Sequence, residues 1–172
     1  SAKTELVEKD CIVCDCAMDE IFLKENAIIT AECTLGILLS GCNRAPRDLR
    51  IGIVGYGRIG KALTQMLLSH GALITVFTGS EEKLLKLCEY GIHAVRYGTD
   101  ASLSELDILI NTAPDSIFPR EELQKPDRII ELASGDNLPP LSTVERYPSI
   151  PSRMFPISAG REWARSVLRA IS

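Results

Sequence analysis

Three glycines, Gly55, Gly57 and Gly60, stand in the order Gly-x-Gly-x-x-Gly directly behind the β-branched run Arg50-Ile51-Gly52-Ile53-Val54. Each glycine has a separate task in a dinucleotide site. The first lets a strand turn tightly, the second lets the backbone approach a pyrophosphate, and the third lets the following helix pack close to the strand. The first amides of that helix lack internal partners, and its dipole favours an anion there. Tyr56, Arg58 and Ile59 fill the intervening positions of the turn and complete the candidate phosphate site. Arg58 is placed to donate to a pyrophosphate, or else stands as a solvated charge at the helix start.

Further candidates follow at the ends of later apolar runs. After the second predicted strand the chain reads Thr78-Gly79-Ser80, where an NAD site usually carries an acid for the ribose hydroxyls. Small hydroxyl residues leave room for a 2′-phosphate, so NADP is expected over NAD. No arginine follows directly, and Glu81 and Glu82 repel a phosphate unless they point away, while Lys83 or Arg58 can approach it. A scaffold that binds no nucleotide is the competing reading. Asn111 and Thr112, followed by Ala113 and Pro114, can hydrogen-bond a ribose or carboxamide, though Asn before Ala-Pro is also a natural turn former. Ser134 and Arg161 are candidate donors to a carboxylate substrate, or equally a cap and a surface charge. Glu32 is read as stabilising its own helix and Trp163 as a packing residue. No catalytic residue is assigned: His70 and His93 fall at a helix end and before a short strand.

Positioning these residues requires strands and helices in alternation. Predicted strands cover residues 51–54, 72–77, 94–97, 106–111, 128–132 and 154–157, and predicted helices cover 59–69, 81–89 and 160–170. An earlier helix is expected over 31–39, capped by Thr30 and ended by Gly41. The pattern is that of an α/β Rossmann-type fold, a doubly wound parallel sheet in three α/β/α layers. Residues 1–28 are read as a short N-terminal arm, with a strand at 11–16, and residues 29–172 as the NAD(P)-binding domain. In such sheets ligands sit outside the carboxyl ends of the strands, where strand order reverses.

Composition narrows the function classes. The 172 residues carry a formal net charge of −4, which argues against a nucleic-acid surface. No run of about 18 apolar residues is present for a membrane span, and the polar start Ser-Ala-Lys-Thr-Glu is unlike a signal peptide. A cytoplasmic protein is expected. Cys11, Cys14 and Cys16 form Cys-x-x-Cys-x-Cys, but neither histidine is spaced as a co-ligand, so no metal is expected and the cysteines read as small hydrophobes.

With these motifs laid out, the chain resembles the NAD(P)-binding half of the dipicolinate synthase A-subunit family, relatives of the D-2-hydroxyacid dehydrogenases. The resemblance runs from about Ala27 onward. It rests on Thr30-Ala31-Glu32, the Gly55–Gly60 motif, Ile110-Asn111-Thr112-Ala113-Pro114, Glu131-Leu132-Ala133-Ser134 and Ser158-Ala159-Gly160. It implies hydride transfer between a nicotinamide cofactor and a small carboxylic acid. The family carries a further N-terminal domain that forms the other wall of the cleft, and most of it is absent from this sequence. The residues before the last helix are also fewer than the family's loop. A non-catalytic dinucleotide-binding regulatory or partner subunit is therefore the alternative. An incomplete two-domain arrangement would expose apolar surface, to be covered in a homodimer or by a partner subunit.

Overall fold

The alternation after Asp48 folds largely as read, with most element ends shifted by one or two residues. A computed structural model describes residues 18–97, 101–115, 117–135 and 137–171. Its elements are α1 (Glu20–Gly41), β1 (Arg50–Val54), α2 (Arg58–Ser69), β2 (Leu73–Thr78), α3 (Glu81–Glu89) and β3 (His93–Arg96). They continue with β4 (Ile108–Asn111), the one-turn α4 (Arg120–Leu123), β5 (Arg128–Glu131), β6 (Val144–Arg146), α5 (Ile150–Met154) and α6 (Pro156–Ile171). The strand expected over 11–16 lies outside the described residues.

The strands form one parallel sheet in the order β3-β2-β1-β4-β5-β6. The chain winds outward from β1 to β3 and returns to lay β4 on the other side of β1. Ile53 is registered with Val76 on one side and Ile110 on the other. The strand order therefore reverses between β1 and β4. Ile51, Ile53, Val76, Leu109, Ile110, Ile129 and Ile130 are buried, as strands covered on both faces require.

The two faces are covered unequally. On one, Ile51, Ile53, Val76 and Ile110 meet Leu63 and Leu67 of α2, Leu87 of α3, and Cys33 and Leu38 of α1. On the other, Val54, Phe77, Leu109 and Ile129 pack under Leu103, Phe118, Leu123 and Leu138. Phe118 stands edge-on to Phe77 at 5.2 Å between ring centroids. This second outer layer consists mainly of connecting segments with one short helix, so the three layers are asymmetric.

Two expectations are corrected. Thr30 does not cap a helix: α1 begins at Glu20, capped by Asp19, whose carboxylate accepts from the amides of Ile21 and Phe22. The Thr30 hydroxyl instead donates to the Asn26 carbonyl one turn back, and Thr34 does the same to Thr30. α1 lies between α2 and the α5–α6 pair, and it carries apolar residues on most of its sides. Its one-sided periodicity is consequently faint, and its first turns read as an arm.

The sixth strand is the second correction. It is Val144–Arg146, not residues 154–157, which are helical or at a helix boundary: Met154 ends α5 and Pro156 opens α6. Proline suits a first helical turn because its missing N–H has no partner there. Arg128 explains how the β6 edge is held. Its guanidinium makes paired bonds to Glu145 at 2.6 and 2.8 Å and also donates to the Ile37 carbonyl near the end of α1. Tyr147 donates its hydroxyl to the same Glu145 carboxylate.

Candidate functional site

The reversal of strand order opens a crevice at the carboxyl ends of β1 and β4, where the glycine turn lies. Gly55 has φ +90°, a conformation few side chains tolerate, and its amide donates to the Phe77 carbonyl at 2.8 Å. A Cβ on Gly60 would stand 2.1 Å from the Gly55 carbonyl oxygen, so only glycine lets α2 start this close to β1. Gly57 differs from both. Nothing lies within 4 Å of where its Cβ would be, so no protein contact requires glycine there. That open space stands at the N-cap of α2, where no side chain caps the first amides. Thr112 braces the turn from β4, its hydroxyl donating to the Val54 carbonyl at 2.8 Å.

The neighbouring candidates divide. Tyr56 is buried in the core with Lys61 Nζ 5.6 Å from its ring, and burial pushes its phenol upward. Ile59 is half-buried between core and crevice. Arg58 Nη2 bonds Glu20 Oε1 at 2.7 Å, an ion pair to the first turn of α1. A cavity of about 210 Å³ lies here, lined from α1 by Leu23, Asn26 and Ala27 and from the turn by Gly57, Arg58 and Ile59, with Thr112.

At the end of β2 the hydroxyls serve the backbone. Thr78 is buried and accepts from the Ser80 amide, and Ser80 caps α3 by accepting from the Lys83 amide. Gly79 lies under the Tyr97 ring, which a Cβ would meet at 2.7 Å. An arginine stands beside this strand end on β3. Arg96 is registered with Thr78, and its Nη1 lies 4.0 Å from Glu81 Oε2.

At the ends of β4 and β5 the structure reveals a group that motif reading passed over as a ligand candidate. Glu131 is buried, and its carboxylate accepts from Asn111 Nδ2 at 3.0 and 3.1 Å and from the Ala133 amide at 3.0 Å. Asn111 also donates to the Ala113 carbonyl and accepts from the Ala113 amide. These bonds are those of the turn former that Asn111 was read as beside its reading as a ribose or carboxamide donor. Ala113 is a core residue and Pro114 is exposed. The available signal was an acid closing the apolar strand Arg128-Ile-Ile-Glu131, since a buried carboxylate needs partners nearby.

A larger cavity of about 500 Å³ adjoins the first through Asn26, between α1, α5 and α6. Phe22 and Trp163 stand edge to face at 5.7 Å on its wall, and Ala159 and Gly160 line it from α6. Residues 157–160, expected at the end of a strand, therefore belong to the first turns of α6. Ser134 and Arg161 are exposed on separate elements and line neither cavity. His70 bonds the Met66 carbonyl at the end of α2, and His93 bonds Thr75 at the start of β3. Both histidines sit toward the amino ends of the strands, away from the crevice. Among the described residues no group of three metal-ligating side chains converges; Cys11, Cys14 and Cys16 lie outside them.

Comparisons with known proteins place this geometry. Residues 50–119, under half of the chain, match the family model described as NADP oxidoreductase coenzyme F420-dependent. No curated protein matches the sequence. Among solved structures, the A-subunit of dipicolinate synthase from Bacillus halodurans superimposes with a TM-score of 0.88 at 19% identity, covering 99% of this chain and 62% of that one. The corresponding dipicolinate synthase chain from Bacillus subtilis gives 0.76 at 24% identity, over 87% of this chain and 54% of that one. An L-alanine dehydrogenase gives 0.62 at 17% identity, again over 87% and 54%. The chain thus spans under two thirds of the length of these structures. The likeness read from its motifs holds at the level of the fold: this is a Rossmann-type α/β domain of the kind found in the A-subunit of dipicolinate synthase and in alanine dehydrogenase.

Proposed function

We propose that the chain is the dinucleotide-binding domain of an oxidoreductase, with NADP preferred over NAD, acting on a small carboxylic acid. The observation that carries this reading is Gly57, a glycine with open space on its Cβ side at the N-cap of α2. Gly55 and Gly60 are explained by the protein's own packing, whereas Gly57 is explained by a ligand that needs the space. The backbone from Gly55 to Gly60 would cradle the pyrophosphate, with Arg58 as its charged donor. The cofactor would supply the hydride, and the protein the positioning and electrostatics.

The NADP preference is supported by the lack of an acid at the end of β2, over Thr78-Gly79-Ser80, and by Arg96 beside Thr78, close to the ribose end of such a site. Arg96 also offsets Glu81, one of the two acids that would repel a 2′-phosphate. The family match, whose description names NADP, points the same way. Ser134 and Arg161 remain the proposed contacts for the acid substrate. The unpaired thiols Cys33, Cys42 and Cys88 suit the cytoplasmic setting proposed here.

A non-catalytic subunit that completes a site with a partner is the second reading. It is favoured by the position of both histidines away from the crevice, and by the solved structure it resembles being itself a subunit. Calorimetric titration with NADPH and NADH tests the first reading. Micromolar binding, lost in Gly57→Asp and with the NADPH preference reduced in Arg96→Gln, is the expected result. No binding of either cofactor overturns it.

A further inference from the structure

We propose that Glu20 sets the affinity of the dinucleotide site, as a built-in anionic competitor that the phosphates must displace from Arg58. This rests on the reading that the glycine turn holds a pyrophosphate. Glu20 and Arg58 are 38 positions apart, and the fold brings their charged atoms to 2.7 Å.

Two features separate this contact from an ordinary surface ion pair. Arg58 is the first residue of α2, follows Gly57 and lines the same cavity as Gly57. Glu20 belongs to the helix that walls the same cavity, one turn before Leu23 and two before Asn26 and Ala27. The start of α1 is also held in place. Asp19 caps it and receives two bonds from Arg169 of α6, at 3.0 and 2.7 Å. The first turn of α1, which carries Glu20, is thereby tied to α6.

The consequence is electrostatic. A pyrophosphate arriving at Gly57 meets a cation already partnered by a carboxylate. Either the Glu20–Arg58 bond breaks, or like charges come to rest within a few ångström, and both outcomes weaken binding. Removing the Glu20 charge leaves Arg58 wholly available to phosphate.

Calorimetry with NADPH on four proteins tests this: the parent, Glu20→Gln, Arg58→Ala and the double variant. Glu20→Gln is expected to bind about three- to tenfold more tightly than the parent, and Arg58→Ala more weakly. In the Arg58→Ala background the glutamine should change affinity by less than about twofold, because the competition runs through Arg58. Equal or weaker binding by Glu20→Gln, with the parent still binding, overturns the competitor role and leaves the glycine-turn reading standing. A full gain persisting without Arg58 overturns it as well, since Glu20 would then act by general repulsion. If neither the parent nor Glu20→Gln binds, both readings fall. Glu20 is exposed, so an unchanged melting temperature of Glu20→Gln should show that folding is unaffected.

Discussion

At the scale of single residues, the three glycines of the turn answer to different physics, and substitution separates them. A methyl group at Gly60 has no room against the Gly55 carbonyl. Gly60→Ala should lower the unfolding free energy by roughly 1–3 kcal/mol in urea titration, the usual magnitude for overpacking. At Gly57 the same methyl group meets nothing and φ is −84°, ordinary for alanine. Gly57→Ala should cost no more than about 1 kcal/mol, from the poorer cap, yet weaken dinucleotide binding. Equal loss of stability in both variants would remove the distinction. The glycines were legible because their spacing is written within six adjacent residues. The Asn111–Glu131 pair was not, since neither residue announces a partner in the neighbouring strand. The Asn111 amide, read as a ligand donor or a turn former, bonds Glu131 and the Ala113 backbone.

At the scale of elements, α1 and β6 are joined through a charged cluster at the end of α1. Arg128 lies so close to Gly41 that a Cβ there would stand 2.5 Å from the guanidinium. The bonds from Arg128 hold the Glu145 carboxyl below the usual carboxylate range, helped by the Tyr147 hydroxyl and opposed by partial burial. A carboxyl depressed in the folded state stabilises the fold above its unfolded pKa, about 4.3, and that contribution fades as pH falls through the lower folded value. The parent should therefore lose stability on acidification below about pH 4. Arg128→Met should remove that component of the acid slope and cost roughly 1–2 kcal/mol at neutral pH, a modest figure because Glu145 is partly solvated. Urea unfolding between neutral pH and pH 3 measures both, and an unchanged slope in Arg128→Met would refute the assignment. β6 escaped sequence reading because a three-residue edge strand with one apolar residue leaves almost no periodic signal. The apolar residues at 154–157 drew the strand assignment instead, although Met154, Phe155 and Ile157 are exposed.

At the scale of the whole molecule, α6 packs chiefly on α1 and α5 and leaves apolar side chains in solvent. Ile157, Trp163 and Leu168 on α6, with Met18 and Ile21 at the start of α1, are each more than half exposed. Single exposed hydrophobes are ordinary, whereas several on two packed helices are what a surface covered by a second chain would present. A dimer is the expected state in light scattering at micromolar concentration, with Leu168→Glu shifting it toward monomer. A monomeric parent would end that expectation. Among the described residues no helix is long and apolar enough to cross a membrane.

The sequence by itself determined the Rossmann-type alternation, the glycine turn and the lack of an acid at the end of β2, because each is written in adjacent residues through strand periodicity, turn geometry or side-chain charge. Only the tertiary structure decided which groups face one another. It carried α1 back along the crevice so that Glu20 meets Arg58, set Arg96 of β3 beside Thr78, and buried Glu131 against Asn111. Those contacts depend on strand order and helix packing, where residues far apart in the chain are brought together by burial of the apolar faces between them.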